Sequence, residues 1–475
     1  MLLVLLIFIP VLGGIFSFFL KNNAAVKGVS LLFSLATFAL SLCLLFCQAP
    51  ANYQAEWLPQ MGSSFSLSAD GMAKMLCFLT ALTLPLIFTS TVANNYKSAG
   101  AFYGLTLLMQ AGLMGVFLAS DVLLFYFFWE LALIPAYFLC SNWGGERRIQ
   151  ASFKFFVYTF AGSLLLLVGI LYLYNKTPEH SFALQSFYNL KLSAKEQGIG
   201  FWLFFIAFAI KMPMFPLHTW QPEIYEQSPT AITMILSGIM AKMGLYAVVR
   251  WLFPLFPDAT AHFSQLIIIL SVIGVLYASF IAIKEDDMKR LVAYSSIAHI
   301  GLMCAAIFSH TEYGLQGALL QVFNHGINVI GLWIVVNAIE QKTGTRKLSE
   351  LGGLAQKAPA LAILFCVMAL ANVALPLTNS FVGEFLMFMG LFKYNVLIAA
   401  FAGISIILVA VYTLWMMQKI FYGTPSAKTE LATKSSASIN FSLIIIAILV
   451  IAGGVYPQPM LDLVKSTVNA VLSVK

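Results

Sequence analysis

About fourteen apolar runs leave this chain one kind of fold. Each is close to the roughly 20 residues that cross a bilayer as a helix. They fall at about 1–20, 26–48, 72–93, 101–120, 122–141, 152–175, 200–217, 229–253, 262–284, 289–308, 315–340, 358–390, 394–421 and 439–457. With 60% hydrophobic and 9% charged residues among 475, and a mean hydropathy of +0.89, a water-soluble domain of this length is excluded. The chain reads as an all-α polytopic membrane protein, one transmembrane domain over 1–475. Residues 1–20 lack a basic leading region and a small-residue cleavage site, so they read as the first span rather than a signal peptide.

The loops set the orientation. Sixteen Lys and Arg fall on the side of the first connection, among them Lys21, Arg147, Arg290, Arg346 and Lys357. Eight fall opposite, and Lys211 and Lys242 lie within spans. By the positive-inside rule the sixteen face the cytoplasm, and an even number of spans puts both termini outside. The net charge of +7 reflects these loops and is no sign of nucleic-acid binding.

Six cysteines are scattered through apolar segments without the CxxC pairing of metal or iron–sulfur sites. No GxGxxG, no GxxxxGK[ST] and no zinc-spaced histidine pair occurs. A redox or nucleotide cofactor on this chain is therefore not expected, and neither is a metal.

The stretch Phe208–Thr230, FAIKMPMFPLHTWQPEIYEQSPT, places Lys211 in an apolar helix and then interrupts that helix with Pro213 and Pro216. Proline removes a helical hydrogen bond, and freed backbone at membrane depth survives only when buried in protein or lining a wet cavity. A charged lysine there costs roughly 2.5–3.5 kcal/mol on insertion scales and usually marks an ion or proton pathway. Five spans later the twelfth run breaks at Leu375-Pro-Leu-Thr-Asn-Ser, followed by Glu384. Broken segments an odd number of spans apart run in opposite directions, the sign of two inverted repeats with discontinuous seventh and twelfth helices.

The ionisable groups picked out deep within spans are Glu130, Lys211, Lys242, His299, His325 and Glu384. Gln321, His325 and Asn328 share one face of the eleventh span and could hold water; Ser295 and His299 share a face of the tenth. Glu130 is expected to pair with a lysine from another helix, because a lone carboxylate there is costly. A salt bridge that only ties helices together, or histidines that are only hydrogen-bonded core residues, would explain individual members. His218 could serve simply to satisfy backbone carbonyls freed at the break. Six groups that alternate acid and base along the bundle suit a proton relay better than a single tie.

The segments FYFFWELALIP (125–135), FAIKMPMFPLHTW (208–220), KMGLYAVVR (242–250), KRLVAYSSIAHIG (289–301), FNHGINVIGLW (323–333) and LPLTNSFVGEF (375–385) strongly resemble the antiporter-like membrane subunits of proton-translocating NADH:quinone oxidoreductase, respiratory complex I. The resemblance covers about 70–420, and Glu384 points to the subunit M (subunit 4) branch, which carries glutamate rather than lysine on the twelfth helix. It implies Glu130 and Lys211 as a modulating pair, Lys242, His299 and His325 as a central relay, and Glu384 as the connection toward the outer face. It also implies neighbouring antiporter-like subunits and a peripheral arm that uses NADH, flavin, iron–sulfur clusters and quinone. A bacterial inner membrane is the expected location. One departure stands out: the family commonly reads HTWLPDAHxEAPT where this chain has HTWQPEIYEQSPT. Tyr225 replaces the usual histidine and Gln221 the usual leucine, so Glu223 or water would have to admit protons. The rival reading is a subunit of a multi-chain sodium/proton antiporter, whose members resemble the lysine type at position 384. A purely structural scaffold is the third; it needs no titratable groups at membrane depth.

Overall fold

The structure, a computed structural model, describes residues 1–47, 51–430 and 432–473. Helices α1 (Leu2–Phe19), α2 (Asn23–Phe46), α3 (Gly71–Ser90), α4 (Ala99–Leu118), α5 (Val122–Trp143) and α6 (Arg148–Tyr174) match the first six predicted spans. The seventh is a broken pair, α7 (Ala194–Lys211) and α8 (Trp220–Gln227). There follow α9 (Thr230–Leu255), α10 (Pro257–Lys284), α11 (Met288–Phe308) and α12 (Glu312–Thr343). A second broken pair, α13 (Pro359–Asn372) and α14 (Asn379–Tyr394), takes the twelfth place, before α15 (Val396–Phe421), α16 (Ala437–Val455) and α17 (Gln458–Ser473). Among the described residues, twelve helices are long and apolar enough to cross a membrane.

Burial sorts these helices into a centre and a perimeter. The apolar stretches of α9 and α12 are wholly enclosed, and those of α3, α4 and α11 nearly so. On α1, α2, α6, α15 and α16 most of the surface faces outward, with side chains such as Phe16, Phe153 and Ile407 exposed. Such faces suit lipid or neighbouring subunits. Close backbone approach makes the centre tight. A Cβ on Gly326 of α12 would lie 2.9 Å from the Gly238 carbonyl of α9, so only glycine lets these two helices cross there.

Both breaks have the same backbone form. At the first, Met212 N–H bonds Phe208 O and Met214 N–H reaches back five residues to Ala209 O. At the second, Val373 N–H bonds Ala369 O and Leu375 N–H reaches Leu370 O. A second pair of matching features lies at the helix starts. Asp121 caps α5 through the Leu123 and Leu124 amides, beside an extended bridge of Val122 N–H to Phe182 O and Leu184 N–H to Ser120 O. Asp287 caps α11 through the Lys289 and Arg290 amides, beside Met288 N–H to Arg346 O and Leu348 N–H to Asp286 O. Each feature recurs five spans on and at the opposite face, as the inverted repeat requires.

Three elements go beyond the sequence reading. Residues Ala51–Leu58 and Ser63–Ala69 form an antiparallel hairpin, β1 and β2, closed by Gly62 with φ of 67°. Amphipathic α17 packs Val464, Val468 and Val471 inward, so close to α3 that a Cβ on Gly71 would sit 1.6 Å from Leu463 O. Helix α9 contains two π turns, Leu236–Met240 and Val248–Leu252, on either side of Lys242. Such insertions in α-helices often mark functional positions.

Candidate functional site

Four of the six sequence-selected residues meet in the interior. Lys242 is fully buried, its Nζ 2.8 Å from His325 Nδ1 and 2.5 Å from the Ser237 carbonyl within the first π turn. The π turn matters here, because it disturbs the regular bonding that would otherwise occupy that carbonyl. The His325 and His299 rings lie 5.3 Å apart between centroids. His299 Nδ1 in turn stands 3.2 Å from Glu384 Oε1, which Gln321 Nε2 also approaches at 3.4 Å. One file of titratable groups thus crosses from α9 through α12 and α11 to α14.

Polar neighbours hold that file in place. Asn328 donates to Asn379 Oδ1 and Ser380 Oγ, and Asn324 donates to the Asn379 carbonyl, pinning the start of α14 against α12 just past the second break. Tyr412 OH donates to Ser295 Oγ at 3.0 Å, and Asn372 bridges Ser295 and Thr413. Gln321 Oε1, Asn328 Oδ1 and His299 Nε2 are buried with no protein partner. Buried groups of this kind are ordinarily satisfied by internal water. Sequence reading picked out Gln321, Asn328 and Ser295 by helical spacing but missed Asn379, Asn372 and Tyr412, whose partners are distant in the chain.

The other two residues stand apart from the file. The expected Glu130–Lys211 ion pair is not closed. Lys211 Nζ is buried without a hydrogen-bond partner and lies 5.1 Å from the centre of the Trp129 ring, a cation–π arrangement. Glu130 is only partly buried, with Oε1 unpartnered, although its charge still acts on Lys211 through space. The physical reason lies on α5. Trp129, one residue earlier, turns its ring to the lysine and occupies the near position. At the adjoining break the Trp220 indole donates to the freed Ile210 carbonyl at 3.1 Å.

A charged cluster at the cytoplasm-assigned end of the bundle was not foreseen. Buried Glu226 receives Arg147 at 2.8 Å, Arg346 at 2.9 Å and Arg290 at 3.3 Å, and Arg346 also pairs with Asp287 at 2.5 Å. The sequence marks these arginines only as loop charges. They come from the α5–α6 turn, from α11 and from the α12–α13 loop, so Glu226 ties both repeats to α8. Glu226→Ala would leave three guanidinium groups facing one another. The expected loss is about 2 kcal/mol, between an exposed and a fully buried pair. Thermal unfolding of the solubilised assembly, followed by release of this chain, checks it; an unchanged midpoint contradicts the clasp. Alongside, Lys154 pairs with Glu223 at 2.6 Å. Gln221 and Tyr225 are fully buried side by side on α8.

A sequence model described as NADH:quinone oxidoreductase/Mrp antiporter, transmembrane, matches residues 119–410. The chain belongs to that family. It is 38% identical over 430 residues to NADH-quinone oxidoreductase subunit M of Rickettsia prowazekii, covering 88% of this chain and 87% of the relative. To the subunit M of Escherichia coli K12 it is 35% identical over 435 residues, covering 89% and 85%. Among solved structures, a chain of respiratory complex I from Thermus thermophilus superposes with a TM-score of 0.91 at 30% identity over the whole of both chains. A chain of the Mrp complex from Dietzia shares the fold at a TM-score of 0.88 and 20% identity, covering 99% and 97%. Membership in this membrane-subunit family fits the apolar perimeter, the paired breaks and the enclosed titratable file.

Proposed function

We propose that this chain is the subunit-M-type proton-translocating module of an NADH:quinone oxidoreductase and that protons pass along Lys242, His325, His299 and Glu384. The chain of contacts from Lys242 through His325 and His299 to Glu384 supports this most directly, since each step lies within hydrogen-bond or one-water reach. Lys211 and Glu130 then form the controlling pair beside the first break. Electron transfer belongs to other subunits, and NADH, flavin, iron–sulfur clusters and quinone would be held there; this chain needs only the signal that moves its charges. The two broken pairs count as spans, which makes fourteen in one transmembrane unit. The excess of Lys and Arg on one side supports a bacterial inner-membrane setting with both termini outside. The subunit M relatives and Glu384 favour this reading over a sodium/proton antiporter subunit.

Exchanging His325 for glutamine tests the relay, because glutamine can still hydrogen-bond Lys242 but cannot carry a proton. In membrane vesicles the assembled His325→Gln complex should oxidise NADH yet acidify the lumen severalfold less per NADH. Wild-type acidification would remove His325 from the path.

A further inference from the structure

We propose that Arg250 and Asp70 form a charged gate that shuts the outer side of the bundle beneath Lys242, at the opposite end of the file from the Glu384 exit. The proposal rests on Lys242 belonging to the relay. Lys242, Tyr246 and Arg250 stand at i, i+4 and i+8 on α9, so a single helix face leads from the buried amine toward the face that carries the β-hairpin. Along that face Tyr246 OH donates to Phe117 O at 3.0 Å, and Arg250 Nε donates to Tyr246 OH at 3.3 Å. Arg250 Nη2 then meets Asp70 Oδ1 at 2.6 Å, where the two side chains are 22% and 31% exposed. The hydrogen-bonded line therefore starts at Tyr246, one helical turn from the buried Lys242, and ends at the edge of the bundle.

Its last member cannot pass a proton on. A guanidinium stays charged at any working pH, and a fixed positive charge in a narrow polar file repels a proton approaching from either side. Asp70 aims that charge. It is the N-cap of α3, accepting from the Ala73 amide, and Thr467 of α17 donates to its other oxygen at 3.2 Å. Burial works to raise its carboxyl, but Arg250 and these hydrogen bonds outweigh it and hold it below the usual range, so it remains ionised. Tyr188 OH, from the loop between α6 and α7, donates to the Arg250 carbonyl at 2.6 Å. The start of α3, α17 and the α6–α7 loop thus converge on Arg250 and Asp70, and the second π turn, Val248–Leu252, lets α9 distort there.

The gate predicts a leak. In vesicles holding the assembled complex, Arg250→Gln should keep NADH oxidation but let the proton gradient collapse several-fold faster once NADH is spent. Arg250→Lys, which keeps a charge beside Asp70 but can give up a proton, should leak less than Arg250→Gln. Adding Lys242→Leu to Arg250→Gln should seal the leak again, because it removes the carrier above the gate; a merely structural role for the pair gives no such rescue. Asp70→Asn, which retains the cap acceptor, provides the same measurement if Arg250→Gln does not assemble, with a faster collapse again expected. Gradient decay at the wild-type rate, or a leak indifferent to Lys242→Leu, overturns the gate. Pumping retained by Lys242→Leu alone would instead overturn the relay reading beneath it.

Discussion

An assembled complex with arginine in place of Lys211 should fail to pump protons almost as completely as one with alanine. Lys211 is the only titratable group on α7 beside the first break, and it is held in an unusual way, buried without a hydrogen bond against the face of Trp129. A lysine in that state is ready to change. Bringing Glu130 from about 8 Å to about 4 Å at an effective dielectric of about 20 would add about 2 kcal/mol of attraction. That is roughly a thirty-fold change in proton affinity. The open arrangement seen here and a closed ion pair are then the two states of a switch, with movement of α5 setting which one holds. Arginine retains the positive charge, the stacking on Trp129 and the attraction to Glu130, but it cannot release a proton. If Lys211 only ties helices together, Lys211→Arg is mild; if it cycles, the variant is dead. NADH-driven acidification of vesicles, with assembly checked on native gels, separates the two, and near-normal pumping would end the cycling role.

How far the site could be read from the sequence follows from which signals are local. Lys211-Met-Pro and Leu375-Pro-Leu are local anomalies, a charge or prolines within apolar runs, and both mark real breaks. The six ionisable groups were visible because a charge in hydrocarbon is conspicuous. Other features carry no such mark. The π turns around Lys242 leave no trace in composition; the span read at about 229–253 lies within two residues of the observed Thr230–Leu255 and is silent on its distortion. The hairpin lies between the second and third apolar runs, and strands of eight and seven residues are too short to stand out beside spans of about twenty. Helix α17 has too narrow an apolar stripe to register as a span. Arg250 enters the sequence reading only as a loop charge and Glu226 has no role in it, because their partners Asp70 and Arg346 lie far away along the chain and only the folded bundle brings them together. The closed Glu130–Lys211 ion pair is not seen for a related reason. Sequence supplied the complementary charges, but not the Trp129 ring beside them.

Replacing Glu384 by glutamine should remove most of the proton pumping while leaving the complex assembled and able to oxidise NADH. Glu384 ends the interior file: His299 Nδ1 stands 3.2 Å from its carboxylate, and Gln321 Nε2 approaches the same oxygen at 3.4 Å. Glutamine matches the size of glutamate and keeps a carbonyl oxygen for both contacts, so packing around Gly383 and Met387 need not change. What it loses is the capacity to take a proton from His299 and pass it outward. A pair in which one member must be ionised for the other to be protonated moves protons only if both titrate. With glutamine present, His299 has no acceptor on α14, and the file from Lys242 becomes a blind end. The second break, just before Asn379, gives α14 its own start, which the Asn324 and Asn328 bonds hold against α12 so that Glu384 faces the file. Acidification per NADH in vesicles, set beside the NADH oxidation rate of the same membranes, measures the loss. Full pumping by the Glu384→Gln complex would place the exit from the file at some residue other than this one.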